Sequence, residues 1–350
     1  MRILILSDQK KATRNFHDFF PLYKWRSKLL KEGIEIIFHY NHKEIEEKFA
    51  DIYIISSRYK FNERNDFKLL FYKIKTKSNK IVLFDASDTT GIVDFDLIDH
   101  VDAIIKKQVL KDLSLYTVNN YDLSVRPWLQ NMPPNPAYLN YIPCPQEALH
   151  KIKVGWNIGL CDYRYFPSYT GLLRNYLITD LPNIDQTIGT DKKDLFTAYR
   201  GAINYGNKEI SFQRNTVLKV LTELKRPLVL LGGRVDKKSY LKELQKSKVG
   251  ISPFGWGEIC YRDFEIIYSG ALLIKPSMDH LNTFPEMYVP GETYVKVKWD
   301  MSDLEEQLND VYNNFSGYHD IIGHAYKKFM NHQIQYEPFA FFFKSLMQSI

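Results

Sequence analysis

The densest concentration of reactive side chains is SPFGWGEICYRDFEIIYSGALLIKP, residues 252–276. An apolar run ending at Phe254 reads as a buried strand, and Gly255-Trp256-Gly257 as a turn whose glycines let backbone approach a ligand. A helix begins near Glu258. A strand end followed by glycines and a helix start presents backbone N–H groups and a partial positive charge, an arrangement suited to a diphosphate. Arg262 and Glu265 stand three residues apart on that helix and share a face. A guanidinium binds phosphate oxygens through paired N–H groups, and a carboxylate accepts hydrogen bonds from two ribose hydroxyls. An arbitrary R-x-x-E on a helix is more often an exposed ion pair. Here the glycines before it and the Ser269-Gly270-Ala271 turn after it, leading into another apolar strand, favour a ligand site.

Other strand ends carry candidates of the same kind. LVLLGGRVD (228–236) places Gly232, Gly233 and Arg234 after a strand, a glycine turn with a cation. Arg200, Tyr205, Gln213 and Arg214 could line the same cleft. In the first half, the strand-end loops are Ser7-Asp8-Gln9, Ser56-Ser57-Arg58 and Asp85-Ala86-Ser87-Asp88. A general base for an attacking hydroxyl could come from Asp8, His17, Asp85 or Asp88, although aspartates there also serve turns and caps. Lys106-Lys107 could hold an anionic acceptor. The histidines form no H-x-H or H-x-x-x-H arrangement, and no D-x-D dyad of the kind that holds a metal and diphosphate is expected in the chain. Neither a metal nor another cofactor is expected.

The run from the glycine turn through Glu258, Tyr261-Arg262-Asp263-Phe264-Glu265 and Ser269-Gly270 resembles the donor-binding region of group 1 and exostosin-like GT-B glycosyltransferases, which carry R-x-x-E-A-x-x-x-G there. The resemblance implies a nucleotide-activated sugar as co-substrate, with Glu265 on the ribose and Arg262 facing the diphosphate. It places Lys275, Pro276 and His280 in a loop beside the nucleotide. Donor-binding candidates are thus Gly232, Gly233, Arg234, Gly255, Gly257, Glu258, Tyr261, Arg262, Glu265 and Lys275; catalytic candidates are Asp8, Asp85, Asp88 and Arg262. The sequence departs from the retaining enzymes' pair of glutamates separated by seven residues, since six separate Glu258 from Glu265. The implied activity is transfer of a sugar to a hydroxyl of a glycan or glycolipid, in surface polysaccharide or lipopolysaccharide synthesis. Alternatives are a non-catalytic nucleotide-sugar-binding regulator and a GT-B-shaped nucleotide-sugar epimerase.

These residues need a scaffold, and the hydrophobic pattern supplies one. RILIL (2–6), IEIIF (34–38), DIYIIS (51–56), KIVLF (80–84) and DAIIK (102–106) alternate with amphipathic stretches, the mark of βαβ units and a parallel sheet covered on both faces. Between 124 and 150 a proline-rich stretch breaks the pattern. A second alternation follows through KVGWNIGL (153–160), a helix at 168–179, DQTIGT (185–190), PLVLLG (227–232), KVGISPF (248–254), ALLIK (271–275) and TYVKVK (293–298). The expected fold is α/β, with two Rossmann-like domains facing across a cleft. Residues 1–145 form an acceptor domain, 146–318 a donor domain, and 319–350 helices returning to the first, since FAFFF (339–343) is too apolar for water.

A length of 350 residues fits two domains, and 45% hydrophobic with 25% charged residues fits folded cores. MRILILSD is too short an apolar run for a signal peptide, and no stretch approaches the roughly 20 residues that span a bilayer. Three scattered cysteines argue against a disulfide framework. The protein is therefore expected in the cytoplasm. Its +6 charge suits anionic partners and would allow peripheral contact with the inner membrane face. Nucleic acid is not expected, because the basic residues are interspersed with acids.

Overall fold

The computed structural model describes residues 1–8, 14–75, 78–118, 142–162, 164, 173, 176–177, 193–201, 208–224 and 226–350. Its strands are β1 (Arg2–Leu6), β2 (Glu35–His39), β3 (Ala50–Ser56), β4 (Ser78–Asp85), β5 (Ala103–Lys106), β6 (Gln108–Leu110), β7 (Ile152–Val154), β8 (Leu195–Tyr199), β9 (Val229–Leu231), β10 (Ser247–Ile251), β11 (Leu272–Pro276), β12 (Leu281–Thr283) and β13 (Val295–Val297). The helices are α1 (Arg14–Asp18), α2 (Phe20–Lys24), α3 (Arg26–Lys31), α4 (His42–Glu46), α5 (Asn65–Lys75), α6 (Lys208–Glu223), α7 (Lys237–Lys246), α8 (Tyr261–Tyr268), α9 (Leu304–Asn313), α10 (His319–Ile334) and α11 (Tyr336–Gln348).

The first sheet is parallel throughout, in the order β2-β1-β3-β4-β5-β7. Its side chains alternate between two cores, as the strand period requires: Leu4 and Leu6 join the face covered by Phe67, Leu70, Phe71 and Ile74 of α5, while Ile3 and Ile5 join the opposite face. That opposite face is closed by α11, whose Tyr336, Phe339, Phe343, Leu346 and Met347 pack with Trp25 and Trp156. Pro338 sits in the first turn of α11, where a missing N–H costs little.

The second sheet is also parallel, in the order β13-β11-β10-β8-β9. Phe264 and Ile267 of α8 cover one side of it, and Leu304, Leu308 and Val311 of α9 the other. The architecture is α/β, with two Rossmann-like halves. Among the described residues no helix is long and apolar enough to cross a membrane.

One boundary moves. Ile152–Val154, placed by the sequence at the start of the second alternation, pairs in parallel with β5 and forms the edge of the first sheet. The short run IKV alone gives no sign of which sheet will receive it. The helix expected at 168–179 lies largely outside the described residues, as does the proline-rich stretch through 141, and the segment 185–190 lies there entirely.

The halves meet closely. β6 pairs antiparallel with β12, and the Asn157 side-chain amide donates to Thr283 Oγ1 at 2.9 Å and to the Pro285 carbonyl at 2.9 Å. Gly257 lies against the Asp88 carbonyl so tightly that a Cβ there would fall 1.8 Å from the oxygen.

Candidate functional site

In open α/β sheets a ligand usually sits beyond the carboxyl ends of the strands, at the point where the strand order reverses. In the second sheet the reversal lies between β8 and β10, which end at Tyr199 and Ile251. A cavity of about 470 Å³ lies there. The loop after β10 supplies Gly255, Trp256 and Gly257, α8 supplies Tyr261, Arg262 and Glu265, and α7 supplies Lys237 and Tyr240. Arg200, Arg214 and Arg234 line it from the same half, and Asp88, Lys107 and Gln108 from the first.

Local sequence explains why α8 starts where it does. Asp263 caps it, its carboxylate accepting from Cys260 N at 3.2 Å. The same buried carboxylate accepts from Ser252 Oγ at 2.5 Å, Lys275 Nζ at 3.1 Å and Tyr288 OH at 2.7 Å. A strand end, a helix start, a second strand and a loop are thereby joined at one group, which fixes the helix turn bearing Arg262 and Glu265.

Glu265 is mostly buried and ion-pairs with Lys237. The Arg262 guanidinium lies 6.0 Å from the centre of the Tyr199 ring. Burial works against its charge, but the Tyr240, Cys260, Tyr199 and Glu265 groups around it outweigh that and raise its pKa. Arg200 grips Glu243 with two hydrogen bonds, 2.7 and 2.8 Å. On the facing half, Asp88 Oδ1 accepts from Arg58 at 3.0 Å and Lys107 at 3.4 Å, and both cations also reach the buried Asp18.

Several expected residues have other work. Lys275 is fully buried beneath the loop, with Asp263 as partner and the Phe254 ring 5.0 Å away, so it does not reach the cavity. Glu258 is equally buried; its Oε2 accepts from Thr90 N of the other half at 3.0 Å, and His280 Nε2 lies 3.8 Å from Oε1. Burial opposes its ionisation, but His280 and the Thr90 N–H outweigh that and hold its pKa below the ordinary carboxylate value. It ties the halves together and does not line the cavity. Gln213 holds Phe254 N at 2.7 Å and the Trp299 carbonyl at 2.8 Å, bracing the loop.

Gly232 and Gly233 are exposed and outside the cavity lining; Gly232 adopts φ +150°, and the Arg200 guanidinium fills the space where a Cβ would stand. Asp85 is fully buried, accepting from Ser87 N at 2.8 Å with Lys106 Nζ 3.6 Å away, and is closed to a substrate. Asp8 accepts from Lys60 N at 3.4 Å and lies outside the cavity lining. His17 is buried in the first half. Tyr205 lies outside the described residues. Asp94-Phe95-Asp96 does spell D-x-D, but Arg64 holds both carboxylates, at 3.0 and 2.6 Å, and neither lines the cavity.

The structure therefore gathers Asp88, Arg234, Gly255, Gly257, Tyr261, Arg262 and Glu265 around one cavity. It adds Lys237, Tyr240 and Gln108, which the sequence reading missed. A signal for the first two existed: Asp236 is a helix N-cap just after the glycine turn, and Lys237 and Tyr240 follow three residues apart.

No family model matches the chain, and no curated protein matches it. Among solved structures of similar fold is Anabaena Alr3699/HepE in complex with UDP-glucose, at 9% identity over 100% of both chains with a TM-score of 0.46. A glycosyltransferase from Rickettsia africae is 12% identical over 99% of this chain and 98% of its own, with a TM-score of 0.46. Sucrose-phosphate synthase from Thermosynechococcus elongatus is 11% identical over 99% and 98%, with a TM-score of 0.42.

Proposed function

We propose that the cavity binds a nucleotide-activated sugar and that the protein transfers the sugar to a hydroxyl of a glycan or glycolipid. The observation that carries this reading is the pairing, at the switch point, of a cation-lined cavity with Arg262 and Glu265 on one helix face. Lys107, Arg200, Arg214, Arg234, Lys237 and Arg262 line it against Asp88 and Glu265, and with Asp18, Glu243 and Arg58 just behind, cations still outnumber carboxylates. Such an excess of positive charge suits a diphosphate ester.

In this reading Glu265 accepts from the ribose hydroxyls while Arg262 and the start of α8 face the diphosphate. The acceptor oxygen bonds to the anomeric carbon, the bond from that carbon to the diphosphate oxygen breaks, and its electron pair leaves with the nucleotide. Arg262 and the helix N-terminus stabilise the charge that develops there. Asp88, the carboxylate of the first half that lines the cavity, takes the acceptor proton, with Arg58 and Lys107 fixing its position. The net positive charge suits an anionic surface glycan or lipid-linked acceptor at the inner membrane face.

A thermal-shift panel of UDP-, GDP-, ADP-, dTDP- and CMP-activated sugars tests the reading, because a ligand that binds only the folded state raises the melting temperature. At least one should do so, and that donor should be hydrolysed slowly without acceptor. A panel without any shift refutes nucleotide-sugar binding, and binding without hydrolysis or transfer identifies a sensor in place of an enzyme.

A further inference from the structure

The carboxylate given to the ribose has a partner of its own at the cavity. Lys237, the first residue of α7, pairs through Nζ with Glu265 Oε1; its side chain is 43% exposed, while that of Glu265 is 8% exposed. Tyr240 follows one turn later and lines the same cavity. Burial, and then the Glu265 charge, raise its pKa and keep the phenol protonated. The helix start is itself fixed, since the Asp236 side chain accepts from Ser239 N at 3.0 Å.

With the lysine half-exposed and the carboxylate buried, the pair acts on the direction of the carboxylate. A carboxylate has about four lone-pair sites, so the bond from Lys237 to Oε1 restrains its orientation and leaves acceptors for two adjacent hydroxyls. We propose that Lys237 is a positioning residue that orients Glu265 toward the vicinal diol of a ribonucleotide, which makes the site selective for ribo- over 2′-deoxyribonucleotides. This rests on the nucleotide reading above.

Calorimetry on the full chain with UDP and 2′-deoxy-UDP, and with the corresponding GDP and ADP pairs, tests it. Wild-type protein should prefer the ribo member of the pair it binds by about tenfold or more, because a missing hydroxyl leaves a buried acceptor unmatched. Lys237→Met should bring that preference to within about twofold, and Lys237→Arg should keep most of it; Lys237→Gln replaces the methionine variant if the latter melts early. If Lys237→Met weakens both members equally, the lysine serves only as charge for the phosphates and the inference falls. It falls too if wild type binds both members alike. If wild type takes up none of these nucleotides, this inference falls, and the thermal-shift panel of all five donor classes decides whether the nucleotide reading falls with it.

Discussion

At the scale of single residues, the site divides into groups that meet a ligand and groups that hold those in place. Glu265→Ala should weaken nucleotide binding about tenfold to a hundredfold, since the ribose would lose hydrogen bonds worth about 1–3 kcal/mol, and titration calorimetry reads this directly. Arg262→Ala should lower turnover more than nucleotide affinity, and Arg262→Lys should restore it only in part, because lysine lacks the planar fork. Unchanged turnover would make Arg262 a packing residue.

The buried pair behaves differently. Lys275→Met leaves Asp263 uncompensated in the core and should cost about 3–5 kcal/mol in urea unfolding. His17 supplies a pH effect. Burial depresses its pKa from 6.5 to about 4, so the unfolded chain binds a proton that the folded one refuses. Stability from this residue is intact above pH 6.5 and is lost as pH falls toward 4, with a total of roughly 3 kcal/mol. His17→Leu should flatten that limb of a stability–pH curve; an unaltered limb would assign the acid sensitivity elsewhere.

Much of this scale was legible in the sequence. Arg262, Glu265, Gly255 and Gly257 do line the cavity, because helix spacing and turn chemistry are local, whereas Gly232 and Gly233 do not. Lys275 and Glu258 were misassigned because burial is not local: a lysine at a strand's end and a glutamate at a helix's start look the same whether they face a cleft or a core. Lys237 was missed because its partner lies 28 positions away, across the rest of α7, a strand and a loop.

At the scale of elements, α11 is the test case. Its face of Phe339, Phe343, Leu346 and Met347 covers the side of the first sheet that carries Ile3 and Ile5, with Phe339 and Phe343 edge-on to Trp156 at 5.9 Å each. Phe343→Ala should cost about 3–5 kcal/mol by leaving a cavity among these rings. Truncation after Tyr318 removes the whole cover and should give insoluble or strongly destabilised protein. A truncated chain with an unchanged melting temperature would show that the helix is an accessory, such as a membrane or oligomer contact. The existence of this apolar segment was evident in its aromatic pattern. The edge position of β7 was not, because three residues of mixed character fit either sheet.

At the scale of the whole molecule, the contact of Gly257 with the Asp88 carbonyl joins the two halves directly beside the cavity. A methyl group there has no room, so Gly257→Ala should push the halves apart. The expected readouts are faster amide exchange around residues 88–90 and 255–260 and weaker nucleotide binding, with each half still folded; native exchange in the variant would mean that the loop yields instead. That the halves are Rossmann-like was plain from periodicity, whereas their mutual contacts depend on pairs such as Thr90 and Glu258, which no local pattern links.

The cover supplied by α11 also has a consequence for the order of synthesis. A ribosome makes β1 to β7 early, then the entire second sheet, and only afterwards the helix that shields Ile3, Ile5, Val82 and Phe84. At about 5–20 residues per second, that face of the nascent first sheet stays uncovered for roughly 10–40 s while the remaining chain emerges. During this interval it offers a sticky surface to chaperones or to neighbouring nascent chains. Slowing translation should therefore lower the soluble yield of this protein, in contrast to proteins whose first domain closes on itself.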